Sequence, residues 1–133
     1  MKCEKLDVWK RSAALNAEIY LYSKNLKDYG FRDQITRAGL SVPSNIAEGL
    51  ERQSDRESWR FLDIAHGSAA ELKTQIYIGM KIDYIQKERG KQWIEEIEKI
   101  SRMIGGLKRS LLKKTDDGRR TTDDDTPPEV AYA

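Results

Sequence analysis

Gly39-Leu40-Ser41-Val42-Pro43-Ser44-Asn45-Ile46-Ala47-Glu48-Gly49 contains the only proline upstream of Pro127, yet apolar residues keep helical spacing straight across it. Ile35, Gly39, Val42, Ile46 and Gly49 follow one another at steps of four, three, four and three, the spacing of one helical face. Asp33, Arg37, Ser44, Glu48 and Glu51 fall largely elsewhere, so the stretch is amphipathic. Pro43 removes one backbone donor and its ring opposes the carbonyl four residues back, a cost of roughly 3 kcal/mol inside a helix. Ser41 as a local cap, Gly39 as a tolerant bend and Ser44 as a donor to a freed carbonyl can relieve that cost. The stretch therefore predicts one helix kinked at Pro43, from about Arg32 to Arg52, rather than two helices broken at Ser41–Pro43.

Three more helices of similar length read outward from this one. Helix 1 is predicted from about Asp7, a plausible cap, to Leu26, with Val8, Ser12, Leu15, Ile19, Tyr22 and Leu26 as its seam. Asp28-Tyr29-Gly30 reads as the turn that ends it, with Gly30 free to take a positive φ. Ser54 and Glu57 match a capping box and open helix 3, Asp55 to Lys81. Leu62, Ala65, Ala69, Leu72, Ile76 and Gly79 form its seam, and Gly67 and Gly79 suit close approach of a neighbour. Gln86–Gly90 reads as a polar turn. Helix 4 follows from about Lys91 to Lys114, with Ile97, Ile100, Ile104, Leu107 and Leu111 in line. Four long amphipathic helices joined by short turns predict an all-α, antiparallel up-down four-helix bundle.

Composition bounds the function classes. A chain of 133 residues suits one domain, and 35% charged residues against 38% hydrophobic ones favour a solvated bundle over a deep α/β core. No run of eighteen apolar residues exists to span a membrane, and Met1-Lys2-Cys3-Glu4-Lys5 lacks the apolar region of a signal peptide. The lone Cys3 forms no internal disulfide, so a cytoplasmic setting is expected. Charge is uneven. Residues 1–114, the predicted bundle, carry 22 basic and 16 acidic side chains, whereas residues 115–133 carry 2 and 6 and read as a disordered acidic tail. That tail is expected to compete with nucleic acid for the basic body.

Gln34-Ile35-Thr36-Arg37-Ala38 followed by Ser41-Val42-Pro43-Ser44-Asn45-Ile46-Ala47-Glu48-Gly49 resembles the signature of the four-helix-bundle proteins encoded in intervening sequences of bacterial 23S rRNA genes. Arg60-Phe61-Leu62, Ile64-Ala65, Gly67-Ser68 and Glu71-Leu72 are similar to that family's third helix, and the resemblance runs from Leu6 to about Leu112. Arg102-Met103-Ile104-Gly105-Gly106 is similar to a related group, the accessory variability proteins of diversity-generating retroelements. The resemblance implies a closed homo-oligomer, a cyclic homopentamer. It marks Arg37, Pro43, Asn45, Glu48 and Gly49 as motif positions. Among its implied partners are ribosomal RNA, a reverse transcriptase or another nucleic-acid protein.

No chemistry-bearing constellation stands out. His66 lies between Ala65 and Gly67 with no nucleophile or carboxylate that the sequence places beside it, and reads as a packing or surface residue. One Cys and one His make a zinc site untenable, no Glu-x-x-His occurs for a carboxylate di-metal site, and no phosphate loop is present. Asn45 and Glu48 read as structural, with Glu48 either solvated or paired across helices to Arg37 or Arg60. No catalysis, metal or cofactor is expected. Two features remain. Lys99, Arg102, Arg109 and Lys113 form a basic stripe on helix 4, opposite its seam, and with Lys114 next in the chain they suit phosphates, though the stripe also reads as an ordinary solvated face. Trp9, Ala13, Tyr20, Phe61, Tyr77 and Met80, on helices 1 and 3, exceed what a bundle core needs and suit a subunit interface. The expected function is a non-catalytic oligomeric scaffold binding structured RNA or DNA. The alternative is a protein–protein interaction module without nucleic acid.

Overall fold

Two capping side chains set where the middle helices begin. Asp28 accepts from the Phe31 amide at 3.1 Å, and Ser54 accepts from the Glu57 amide at 3.1 Å. The computed structural model describes residues 3–115, which form α1 (Cys3–Ser23), α2 (Tyr29–Glu51), α3 (Asp55–Lys81) and α4 (Lys87–Thr115). The limits of α3 coincide with the sequence expectation. Elsewhere the turns differ. Asp28 starts α2 instead of ending α1, so Gly30 lies inside α2, and Asp7 lies inside α1 rather than capping it. The turn between α3 and α4 is Ile82–Gln86, and among the described residues the non-glycine residue at positive φ is Asp83 (65°), a side chain that tolerates the left-handed region. Gly90 belongs to α4, where it is buried because the Met80 side chain fills the space a Cβ would need.

α2 passes through Pro43 as a single helix. Asn45, not Ser44, supplies the local side-chain bond: its amide donates to the Ser41 carbonyl at 2.9 Å and to Ser41 Oγ at 3.0 Å. Ser41 Oγ in turn lies 2.7 Å from Ser68 Oγ on α3. This chain ties the proline turn to the neighbouring helix.

Contacts join α1 to α2, α2 to α3, α3 to α4 and α4 to α1, so sequential helices are neighbours and α1 lies diagonal to α3. Ser58 on α3 reaches the Gly49 carbonyl on α2, while Tyr84 and Gln86 of the α3–α4 loop bond Asp28 and the Tyr22 hydroxyl beside the α1–α2 loop. The arrangement is an antiparallel up-down four-helix bundle with both long-loop turns at one end. The predicted seams of α2 and α3 are buried throughout, as are Val8, Leu15, Ile19, Ile97, Ile100, Ile104 and Leu111. Trp93 joins them at 2% exposure. Its ring meets Tyr22 edge-on at 5.2 Å, and its Nε1 donates to Glu18 at 3.1 Å. No described helix is long and apolar enough to cross a membrane.

Candidate nucleic-acid interface

The face of α4 opposite its seam places Lys99, Arg102, Arg109 and Lys113 in solvent. Among the described residues no ion pair within 4.0 Å holds any of the four. Lys114 ends this series in sequence, but its side chain lies outside the described residues, as does the acidic segment beyond Thr115. Glu98 and Lys73 bind each other at 2.7 Å on the flank of the stripe. The Lys73 hydrogen bond, then its charge, with Arg102 adding a smaller share, holds the Glu98 carboxyl below its usual range. Gly105 and Gly106 keep the middle of the stripe low: a Cβ at Gly105 would stand 3.4 Å from the Arg109 guanidinium and 3.8 Å from the His66 ring.

Lys108 belongs to α4 but not to the stripe. It follows Ile104 by four residues and precedes Leu111 by three, which turns it to the core side. Its ammonium pairs with Asp63, stands 3.3 Å from His66 Nδ1 and lies 4.7 Å over the Trp59 ring. Side-chain exposures of 16% for Lys108 and 13% for Asp63 make this a largely buried pair. Burial foremost, then the Lys108 charge, opposed by Asp63, pushes the His66 imidazole below its ordinary pKa. The seam spacing held the signal for this cluster: a lysine at a core position demands a carboxylate partner.

The motif polar residues are separated. Glu48 pairs with Arg52 one turn on, at 2.7 Å, and not with Arg37 or Arg60. Short i,i+4 reach on an exposed helix end favours that partner over one across the bundle. Arg37 is exposed, Pro43 and Gly49 are buried, and Asn45 is half-buried. Asn45, Glu48 and His66 thus engage three different partner sets. Among the described residues no group of three His, Cys, Asp or Glu side chains could hold a metal ion.

The residues expected at a subunit interface also divide. Trp9, Tyr20 and Tyr77 are exposed, whereas Ala13, Phe61 and Met80 are half-buried in their own chain. Phe61 lies beneath the Arg52 and Arg60 guanidinium groups at 5.0 and 5.8 Å, and Met80 packs against the core. Exposed Leu6, Leu21, Tyr29, Leu40, Ile78 and Ile82 escaped the sequence reading, since they are single apolar residues away from the seams rather than a long apolar strip. Tyr20 also borders a cleft of about 220 Å³ between α1 and α2, lined by Lys24, Arg32, Asp33 and Thr36.

Among curated proteins none matches the chain. In fold it is similar to the crystal structure of a protein of unknown function from the S23 ribosomal protein family of Bacteroides thetaiotaomicron VPI-5482, with a TM-score of 0.74 at 22% identity over 80% of this chain and 98% of that one. The sequence model of the family described as 23S rRNA-intervening sequence protein matches residues 4–106. The match takes in the Pro43 helix, the polar α2–α3 seam and most of α4, and the chain belongs to the 23S rRNA-intervening sequence protein family.

Proposed function

We propose that the protein is a non-catalytic scaffold that binds structured RNA or DNA, as an accessory to ribosomal RNA or to another nucleic-acid protein such as a reverse transcriptase. The observation that carries this reading is the row of exposed cations Lys99, Arg102, Arg109 and Lys113, which no described carboxylate neutralises by an ion pair. Such a row meets phosphates and releases their counterions, giving affinity without reading sequence. The scaffold is a cyclic homopentamer in the cytoplasm, with α2 bent at Pro43. Repetition of the stripe around a ring axis would focus its potential.

Retention of a structured RNA by the purified protein across a salt series tests the reading. Affinity should fall steeply with salt, and each of the four cations neutralised should reduce the log–log slope by about one. Reversing all four charges should abolish retention. The exposed apolar residues on α1 and α2 favour a second reading, a protein–protein module. On that reading the fourfold reversal leaves a protein partner bound, and wild-type protein retains no RNA at low salt.

A further inference from the structure

The loop end of the bundle combines exposed aromatic rings with cations, unlike the stripe on α4. Tyr20 and Tyr29 are 59% and 63% exposed there. The Arg32 guanidinium carbon lies over the Tyr29 ring, 4.6 Å from its centre, while Arg32, Lys24, Asp33 and Thr36 line the cleft beside Tyr20. Thr36 Oγ1 donates to the Arg32 carbonyl at 2.8 Å, and a hydroxyl that donates still has lone pairs with which to accept. Asp33 lies 3.7 Å from Arg32 and remains largely exposed, so its carboxylate can also accept. The α3–α4 loop is fastened to this end by the Tyr84–Asp28 bond of 2.9 Å, which brings exposed Lys81, Lys87 and Lys91 to the same end as Lys24 and Lys27. The hydrogen bonds to the Phe31 amide and to Tyr84 hold the Asp28 carboxyl below its usual range, so this acid is already committed.

We infer that this end is a second site, for an unpaired stretch of single-stranded RNA or DNA, in which a base stacks on Tyr20 and its phosphates meet Lys24 and Arg32. The inference rests on the nucleic-acid reading above and adds a different ligand class and a different surface. A π-face accepts any base, and cations along the backbone track the strand, the pairing by which single strands are held without sequence preference. Acceptors at Asp33 and Thr36 suit the exocyclic amine of a base. The further lysines beyond the cleft favour a strand over a free nucleotide. A rigid duplex buries its base faces and offers Tyr20 nothing to stack on.

Binding of a short labelled uridine or adenosine homopolymer and of an RNA duplex, measured on the full chain at low salt, tests this. Tyr20→Ala should weaken homopolymer binding about tenfold, within the range of a lost stacked base, and leave duplex binding within about twofold. Tyr20→Phe should restore the wild-type value, and Lys24→Glu with Arg32→Glu should weaken the homopolymer further. Arg109→Glu with Lys113→Glu should show the opposite preference. Circular dichroism confirms that each variant keeps its helices. Homopolymer binding that persists unchanged in Tyr20→Ala and in the Lys24/Arg32 variant overturns the second site but leaves the stripe standing. Absence of any binding, single-stranded or duplex, overturns both. Competition by adenosine monophosphate at an equal nucleotide concentration overturns the strand as the ligand.

Discussion

Lys108 is the residue where charge and packing meet most closely. It occupies a core position on α4, and its ammonium is offset by Asp63, His66 and the face of Trp59. Removing one partner of such a pair leaves the other charge in poor solvent, which costs more than removing both. Asp63→Asn should therefore destabilise the fold by about 2–3 kcal/mol, and Asp63→Leu combined with Lys108→Met should recover most of that loss. Urea denaturation of Asp63→Leu, of Lys108→Met and of the double variant gives the coupling directly; additive losses would show that the pair is not the source. His66 adds a pH dependence. Its imidazole titrates below 6.5 in the fold, so between that lower value and about 6.5 the unfolded chain holds more protons. Stability should fall as pH drops through this window and level off once the folded imidazole is also protonated. His66→Gln should flatten the melting temperature over the same interval, while the carboxylate-linked loss below the ordinary glutamate pKa, to which Glu98 contributes, should remain.

At the level of elements, the α2–α3 seam is built from small and hydroxyl-bearing residues. Ser58 donates to the Gly49 carbonyl at 2.8 Å, and Ser41 meets Ser68 at 2.7 Å. A Cβ at Gly49 would stand 3.3 Å from the Ser58 carbonyl and 3.4 Å from Phe61 Cβ. Gly49→Ala gains about 1 kcal/mol of helix propensity against this tight contact and should change the melting temperature little. Gly49→Leu must push α3 away and break the Ser58 bond, so it should cost about 2–3 kcal/mol, read from thermal unfolding. A Leu variant as stable as wild type would mean that the two helices can separate freely here. These seams were legible because a 3.6-residue period and a buried face are the same physical fact, and because Ser54 and Glu57 carry a cap in their spacing. The turns were not. Asp28-Tyr29-Gly30 fits a helix stop as well as a helix start, and only the tertiary path decides which. Nothing in Asp83 announces a positive φ, while Gly90, which looked like a turn, makes room for Met80. The stripe on α4 could be read along one helix; the Tyr20 cleft could not, because its walls come from two.

The whole molecule constrains how copies can assemble. Trp9 and Tyr77 are both exposed, but they lie on α1 and α3, which do not touch within the bundle. One self-complementary patch cannot contain both, so they fit two different faces, as a head-to-tail ring requires. Tyr20 lies eleven residues beyond Trp9, about 16 Å along the helix, which leaves the loop end outside such a contact. If Trp9 of one subunit packs on the Tyr77 face of the next, Trp9→Glu and Tyr77→Glu should each break every interface and give monomers of unchanged helical content. Burying each large side chain contributes roughly 1.5–3 kcal/mol, enough for one charged replacement to undo the contact. A mixture of the two variants then retains one good combination, the Tyr77 face of the first against the Trp9 face of the second. It should form a heterodimer and no ring, visible by native mass measurement. A two-fold contact of Trp9 on Trp9 behaves differently: Tyr77→Glu would assemble as wild type, and mixing would rescue nothing. A wild-type chain that is monomeric at micromolar concentration would remove the interface altogether, whereas a closed ring of another size would leave the two faces in place and change only the angle between them.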